Sequence, residues 1–201
     1  MFSEIKKISS LLLSVAFSSI GFIASITVTV LAAREVSSNP LFVGFPNAVG
    51  VGGAVLGTRM IYLISKTNSQ LNALAFTFLI GAFGGAIMFY SLIIDSFLLL
   101  LLGAFILGIG QSATLQTRYA ASFVAGTKFK ATALSLAVWF SVFGSVFGPR
   151  MVGSYSNFFE NIFNSDLIVG YVIALVGMLF AAAALLTSVS YTHLRAHETL
   201  T

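Results

Sequence analysis

Few side chains in this sequence could carry out chemistry, and most of those that could are found in long apolar runs. Gln111, Thr114 and Arg118 are three and four residues apart, which places them on one face of a helix. Charged and amide side chains are costly inside a membrane, so we expect this face to contact protein or water rather than lipid. It could line a substrate cavity, or it could form hydrogen bonds between helices.

Two other runs carry polar residues that could line the same cavity. The first has small and hydroxyl side chains spaced three or four apart: Ser14, Ser18, Gly21, Ser25 and Thr29. Ser18 and Ser25 are its cavity candidates, although close helix packing favours the same stripe. Asn47 in the second run is a further candidate. Arg59 in that run could snorkel to the interface, or serve in gating or anion attraction.

The two histidines, His193 and His197, lie in a polar segment at the end of the sequence. They are four residues apart, but cysteine is absent and no convincing third ligand accompanies them, so neither a metal nor a cofactor is expected. Residues 189–199 resemble a translated sequencing-adapter or linker tail. We therefore interpret residues 188–201 as a non-native tail and exclude them from functional reasoning.

The composition restricts the class of protein. Strongly apolar residues make up 58% of the chain, charged residues make up 8%, and the mean hydropathy is +1.01. An ordinary soluble domain is roughly 25% charged, and a small domain buries only about 70% of the surface its unfolded chain exposes. A soluble enzyme, a disordered chain and a nucleic-acid-binding module are therefore excluded.

Six runs are long and apolar enough to cross a bilayer as helices, which takes about 20 residues each. They cover residues 11–33, 41–65, 71–94, 97–117, 131–149 and 167–187. The runs are continuous and lack the alternation of barrel strands, which favours helices. The sequence thus predicts an all-α membrane protein with a six-helix transmembrane bundle in residues 1–187.

Basic residues indicate the orientation of this bundle. Seven of them fall on the side of the amino terminus: Lys6, Lys7, Arg59, Lys66, Arg118, Lys128 and Lys130. Only Arg34 and Arg150 fall on the other side. Because Lys and Arg are enriched in cytoplasmic segments, we expect the amino terminus in the cytoplasm. The formal net charge of +4 follows from this topology and requires no nucleic-acid partner.

A glycine motif late in the fifth run gives a family resemblance. Gly144, Gly148 and Pro149 form a Gly-x3-Gly-Pro pattern that resembles the antiporter motif of the major facilitator superfamily. The motif ends in Gly-Gly, where this chain has Val and then Gly153. The resemblance implies that these residues help to shut the extracellular side when the cavity opens inward. Residues 116–121 and 133–139 are similar to a bacterial branch of the superfamily.

Over residues 10–187 the resemblance implies the amino-terminal half of a twelve-helix transporter. Such a half is two inverted three-helix repeats, and the whole works by alternating access. The implied function is secondary active export of small amphipathic molecules across a bacterial plasma membrane. The implied partners are the lipid bilayer, a small-molecule substrate and the missing carboxy-terminal half, or a second copy if the protein has only six helices.

Some features depart from the superfamily pattern and leave an alternative open. Ile61 stands where the loop after the second helix usually has Asp, and no Asp or Glu lies within any predicted span. A proton relay needs a titrating group at depth, so this half shows no coupling residue. The alternative is a non-transporting membrane scaffold or assembly protein. An intramembrane enzyme is not expected, because the spans contain no His, Asp or Glu.

Overall fold

The computed structural model describes the backbone of residues 2–37, 39–163 and 165–198. Side chains are described over residues 7–37, 39–163 and 165–187, so those of His193 and His197 lie outside the described part. The helices are α1 (Phe2–Val36), α2 (Phe45–Thr67), α3 (Gln70–Ile93), α4 (Phe97–Val124), α5 (Gly126–Phe163) and α6 (Ile168–Glu198). A short 3-10 turn at Pro40–Phe42 precedes α2.

Within the described residues, six helices are long and apolar enough to cross a membrane. This confirms the predicted all-α membrane fold class. Local signals fix several helix starts: the hydroxyls of Ser69 and Ser96 accept hydrogen bonds from the backbone N–H of Asn72 and Leu99, at 3.2 and 3.4 Å. Gly126, the first residue of α5, adopts a φ of +70°, which allows the chain to turn from α4 into α5.

The fifth helix is longer than the predicted run of residues 131–149. It begins at Gly126 and passes through Pro149 to Phe163, so the proline does not end it. A transmembrane helix tolerates proline because neighbouring groups can satisfy the backbone carbonyl that it leaves unpaired. A search for charge-free runs detects only the part of the helix that suits hydrocarbon. The helix itself also includes Lys128 and Lys130 near its start and Glu160 near its end.

The main helix contacts follow a two-fold pattern. The pair α1–α6 corresponds to α4–α3, the pair α2–α4 to α5–α1, and the pair α2–α3 to α5–α6. The pairs α3–α6 and α1–α4 map onto themselves. Exchanging α1–α3 with α4–α6 therefore reproduces these main contacts. Since each unit has three spans, the two units run in opposite directions, as inverted repeats require.

Two helices are much less covered than the others. In the most apolar 18-residue stretch of each helix, 17% is buried for α2 and 28% for α5, against 50–56% for the other four helices. Since α2 and α5 are equivalent under the two-fold pattern, each repeat leaves the same helix open. These faces need either lipid or further protein to cover them.

Candidate substrate cavity

A cavity of about 220 Å³ lies between α1, α2 and α4, with Met88 of α3 in its wall. Its polar lining consists of Ser25, Thr29, Asn47 and Gln111, and the remaining lining residues are apolar or glycine. Three of the six residues predicted from the sequence as cavity candidates, Ser25, Asn47 and Gln111, therefore meet at one site.

A close crossing of α2 and α4 brings the two amides to this site. A side chain at Gly108 would collide with the backbone of Gly50, so only glycine permits this approach. Gly50 is three residues from Asn47, and Gly108 is three residues from Gln111. Each amide is thus displaced by about one helical turn from the crossing point.

Hydrogen bonding divides the polar lining into occupied and free groups. Ser25 donates to the carbonyl of Phe22 at 2.8 Å, and Thr29 donates to the carbonyl of Ser25 at 2.7 Å. Within the described part of the chain, the side-chain amides of Asn47 and Gln111 have no hydrogen-bond partner. The amides offer both donors and acceptors, so they are the groups available to a ligand.

The other three predicted cavity residues lie outside this lining. Ser18 is fully buried and donates to the carbonyl of Val15 at 3.3 Å, which is a packing environment. Thr114 is buried and Arg118 is half-buried, on the face of α4 that continues from Gln111. Neither the Thr114 hydroxyl nor the Arg118 Nε has a hydrogen-bond partner.

The antiporter-like motif packs α5 against α1. A Cβ at Gly144 would lie 2.6 Å from the carbonyl carbon of Ser19, and one at Gly148 would lie 3.0 Å from the backbone nitrogen of Ala24. Gly153 differs, because a Cβ there would meet nothing within 4 Å. Gly144 and Gly148 therefore set the helix approach, and Gly153 has no such role within the described structure.

The glycines of α2 closely repeat those of α5, a signal that the sequence analysis above did not use. Residues 53–61 read GAVLGTRMI and residues 144–152 read GSVFGPRMV, with five of nine positions identical. Gly53 abuts the carbonyl of Phe105 in α4, as Gly144 abuts Ser19 in α1. Aligning the two glycine pairs without gaps would have shown the repeat and would have matched Arg59 with Arg150.

No group of three or more His, Cys, Asp or Glu that could hold a metal ion occurs among the described residues. The groups that line the cavity offer hydrogen bonds and apolar contact. Together, the fold and the cavity define a class of protein: a multi-pass all-α membrane protein made of two inverted three-helix units, with an apolar cavity that carries four polar side chains.

Comparison with known proteins finds two relatives of this class. An uncharacterized MFS-type transporter of Bacillus subtilis (strain 168), YdeG, is 30% identical over 173 residues, which are 86% of this chain and 40% of that protein. A second, YddS of the same organism, is 30% identical over 181 residues, 90% of this chain and 42% of that protein. No protein-family model and no solved structure matches the chain.

The chain is thus similar over most of its length to two MFS-type transporters, and its six membrane-length helices fit half of such a protein. It spans about two fifths of the length of the two curated relatives. The names of these relatives identify no substrate.

Proposed function

We propose that this chain is the amino-terminal half of a secondary active transporter that exports small amphipathic molecules by alternating access. Its setting is a bacterial plasma membrane, with the amino terminus in the cytoplasm. The observation that carries the proposal is the cavity between α1, α2 and α4, where apolar walls surround the free amides of Asn47 and Gln111. Such a lining suits a ligand that is largely apolar with a few polar groups.

The size of the cavity supports a shared site. Pockets for small ligands are typically about 300–1,000 Å³, and this one is about 220 Å³. Val51 lines the cavity and is 65% exposed, so the cavity borders the open face of α2. A second half of the protein packed on that face would enlarge and close the site.

The open faces of α2 and α5 support a protein partner of this kind. Large apolar side chains are exposed on α5, among them Trp139, Val142 and Val146. The matched relatives are more than twice as long as the aligned region, so their remaining length is sufficient for a second helix bundle. We assign these faces to the missing half, which would rock against this one during transport.

Transport by the full-length protein tests this proposal. The protein is reconstituted into liposomes, an ion gradient is imposed, and the movement of fluorescent amphipathic dyes of different charge is followed. Gradient-dependent accumulation of a dye, reduced in an Asn47→Leu variant that inserts normally, is the expected result. A protein that moves no dye under any gradient, yet co-purifies with one fixed partner, would favour the scaffold alternative.

A further inference from the structure

The polar face of α4 continues beyond the cavity towards the carboxy-terminal end of that helix. Gln111 lines the cavity, Thr114 follows about one turn later, and Arg118 follows about two turns later. At 1.5 Å per residue, Arg118 is about 10 Å from Gln111 along the helix axis. The face therefore presents an amide, a hydroxyl and a guanidinium in line.

Thr114 differs from the other buried threonines of the described residues, all of which also lie in helices. Thr29, Thr77 and Thr117 each donate to the carbonyl four residues earlier, at 2.7–2.8 Å. Thr114 is only 4% exposed, yet its hydroxyl has no partner. A buried donor left unpaired is costly, so a ligand that accepts this hydrogen bond would recover that cost.

Arg118 is a cation without a counter-charge among the described side chains. Its Nε is buried and has no hydrogen-bond partner. The acidic residues whose side chains are described all belong to the opposite end of the bundle, where α1, α3 and α5 finish: Glu35, Asp95, Glu160 and Asp166. The described charged side chains at the end of Arg118 are basic, including Lys66, Lys128 and Lys130.

We propose that Arg118 and Thr114 bind the anionic group of the transported molecule, while Gln111 binds a neutral polar group about 10 Å away. The inference rests on the proposed function and narrows its substrate class to amphipathic organic anions. A guanidinium offers several donors in a fixed geometry that matches a carboxylate, a sulfonate or a phosphate. The basic surroundings would also attract such an anion from the cytoplasm, the side from which an exporter loads.

Binding to the full-length protein tests the proposal independently of transport. The protein is placed in nanodiscs of zwitterionic lipid, and fluorescence anisotropy measures binding of anionic carboxyfluorescein and cationic rhodamine 123. We expect carboxyfluorescein to bind more tightly. Arg118→Gln should weaken its binding by about tenfold to a hundredfold, and Arg118→Lys by less, because a hydrogen-bonded charge is worth about 1.5–3 kcal/mol.

Two further variants separate binding from folding. Thr114→Val should weaken carboxyfluorescein binding by about tenfold without lowering the unfolding temperature, because the hydroxyl that it removes has no partner in the protein. Arg34→Gln is the matched control. It removes a charge of the same residue type from an exposed position at the opposite end of the bundle and should leave binding unchanged.

The outcomes distinguish this inference from the proposed function. Transport of rhodamine 123 alone, unaffected by Arg118→Gln, would overturn the anion site while leaving the transporter in place. Arg118-dependent binding of carboxyfluorescein without any transport would support the site and contradict the transporter. Carboxyfluorescein that does not bind, or Arg118-dependent stabilisation by anionic phosphatidylglycerol alone, would overturn the claim of an anionic substrate.

Discussion

At the scale of single residues, the hydrogen-bonding state separates groups that hold the bundle together from groups that a ligand can use. Ser18 and Ser25 were equivalent in the sequence, since both belong to one stripe. In the structure both donate to their own helix, and only Ser25 borders the cavity. The amides of Asn47 and Gln111 remain free because each lies about one turn from the close crossing of α2 and α4. There they border the cavity.

The role of Gln111 gives a prediction at this scale. Gln111→Ala should raise the KM for transport about two- to tenfold, since a typical hydrogen bond contributes about 0.5–1.5 kcal/mol. Gln116→Ala is the control, because Gln116 is the same residue type on the same helix and does not line the cavity. Kinetics of dye transport measure both. Equal effects of the two variants, or a change in stability alone, would show that Gln111 only supports packing.

At the scale of helices, the sequence predicted six segments long and apolar enough to cross a membrane, but not where each helix ends. Charge-free runs report the hydrocarbon core, because burying a charge in lipid is costly. A helix itself needs only satisfied backbone groups, so α5 extends 14 residues past Pro149 into a stretch that contains Glu160. The meeting of Asn47 and Gln111 could not be predicted from either run alone, because it depends on the contact between Gly50 of α2 and Gly108 of α4.

Glycine contacts give a prediction at this scale. Gly144→Val should leave membrane insertion intact but reduce transport about tenfold or more, because its side chain would push α5 away from Ser19. Gly153→Val is the matched control from the same motif and should retain transport, since open space surrounds Gly153. Expression level and dye transport are compared for the two variants. If Gly153→Val is equally inactive, the motif acts through contacts beyond this half rather than through the α1–α5 approach.

At the scale of the whole molecule, the open faces of α2 and α5 and the length of the relatives lead to a prediction about the gene. A long sequencing read through the source locus past the codon for Thr187 should find the frame continuing into six more apolar runs. The reason lies in the proposed function: a second bundle would enclose the cavity that borders the open face of α2. A native stop codon directly after residue 201 would instead require two copies of a six-helix unit.

The central claim is that the cavity between α1, α2 and α4 opens to each side of the membrane in turn. Ile26 lines that cavity and is 38% exposed, and this chain contains no cysteine, so Ile26→Cys provides a unique reporter in a full-length protein whose other cysteines are replaced. Its reaction with a membrane-impermeant maleimide is measured in intact cells and in everted vesicles. Alternating access predicts labelling from both sides and protection by a transported dye. Labelling from one side only under every gradient tested would contradict the account.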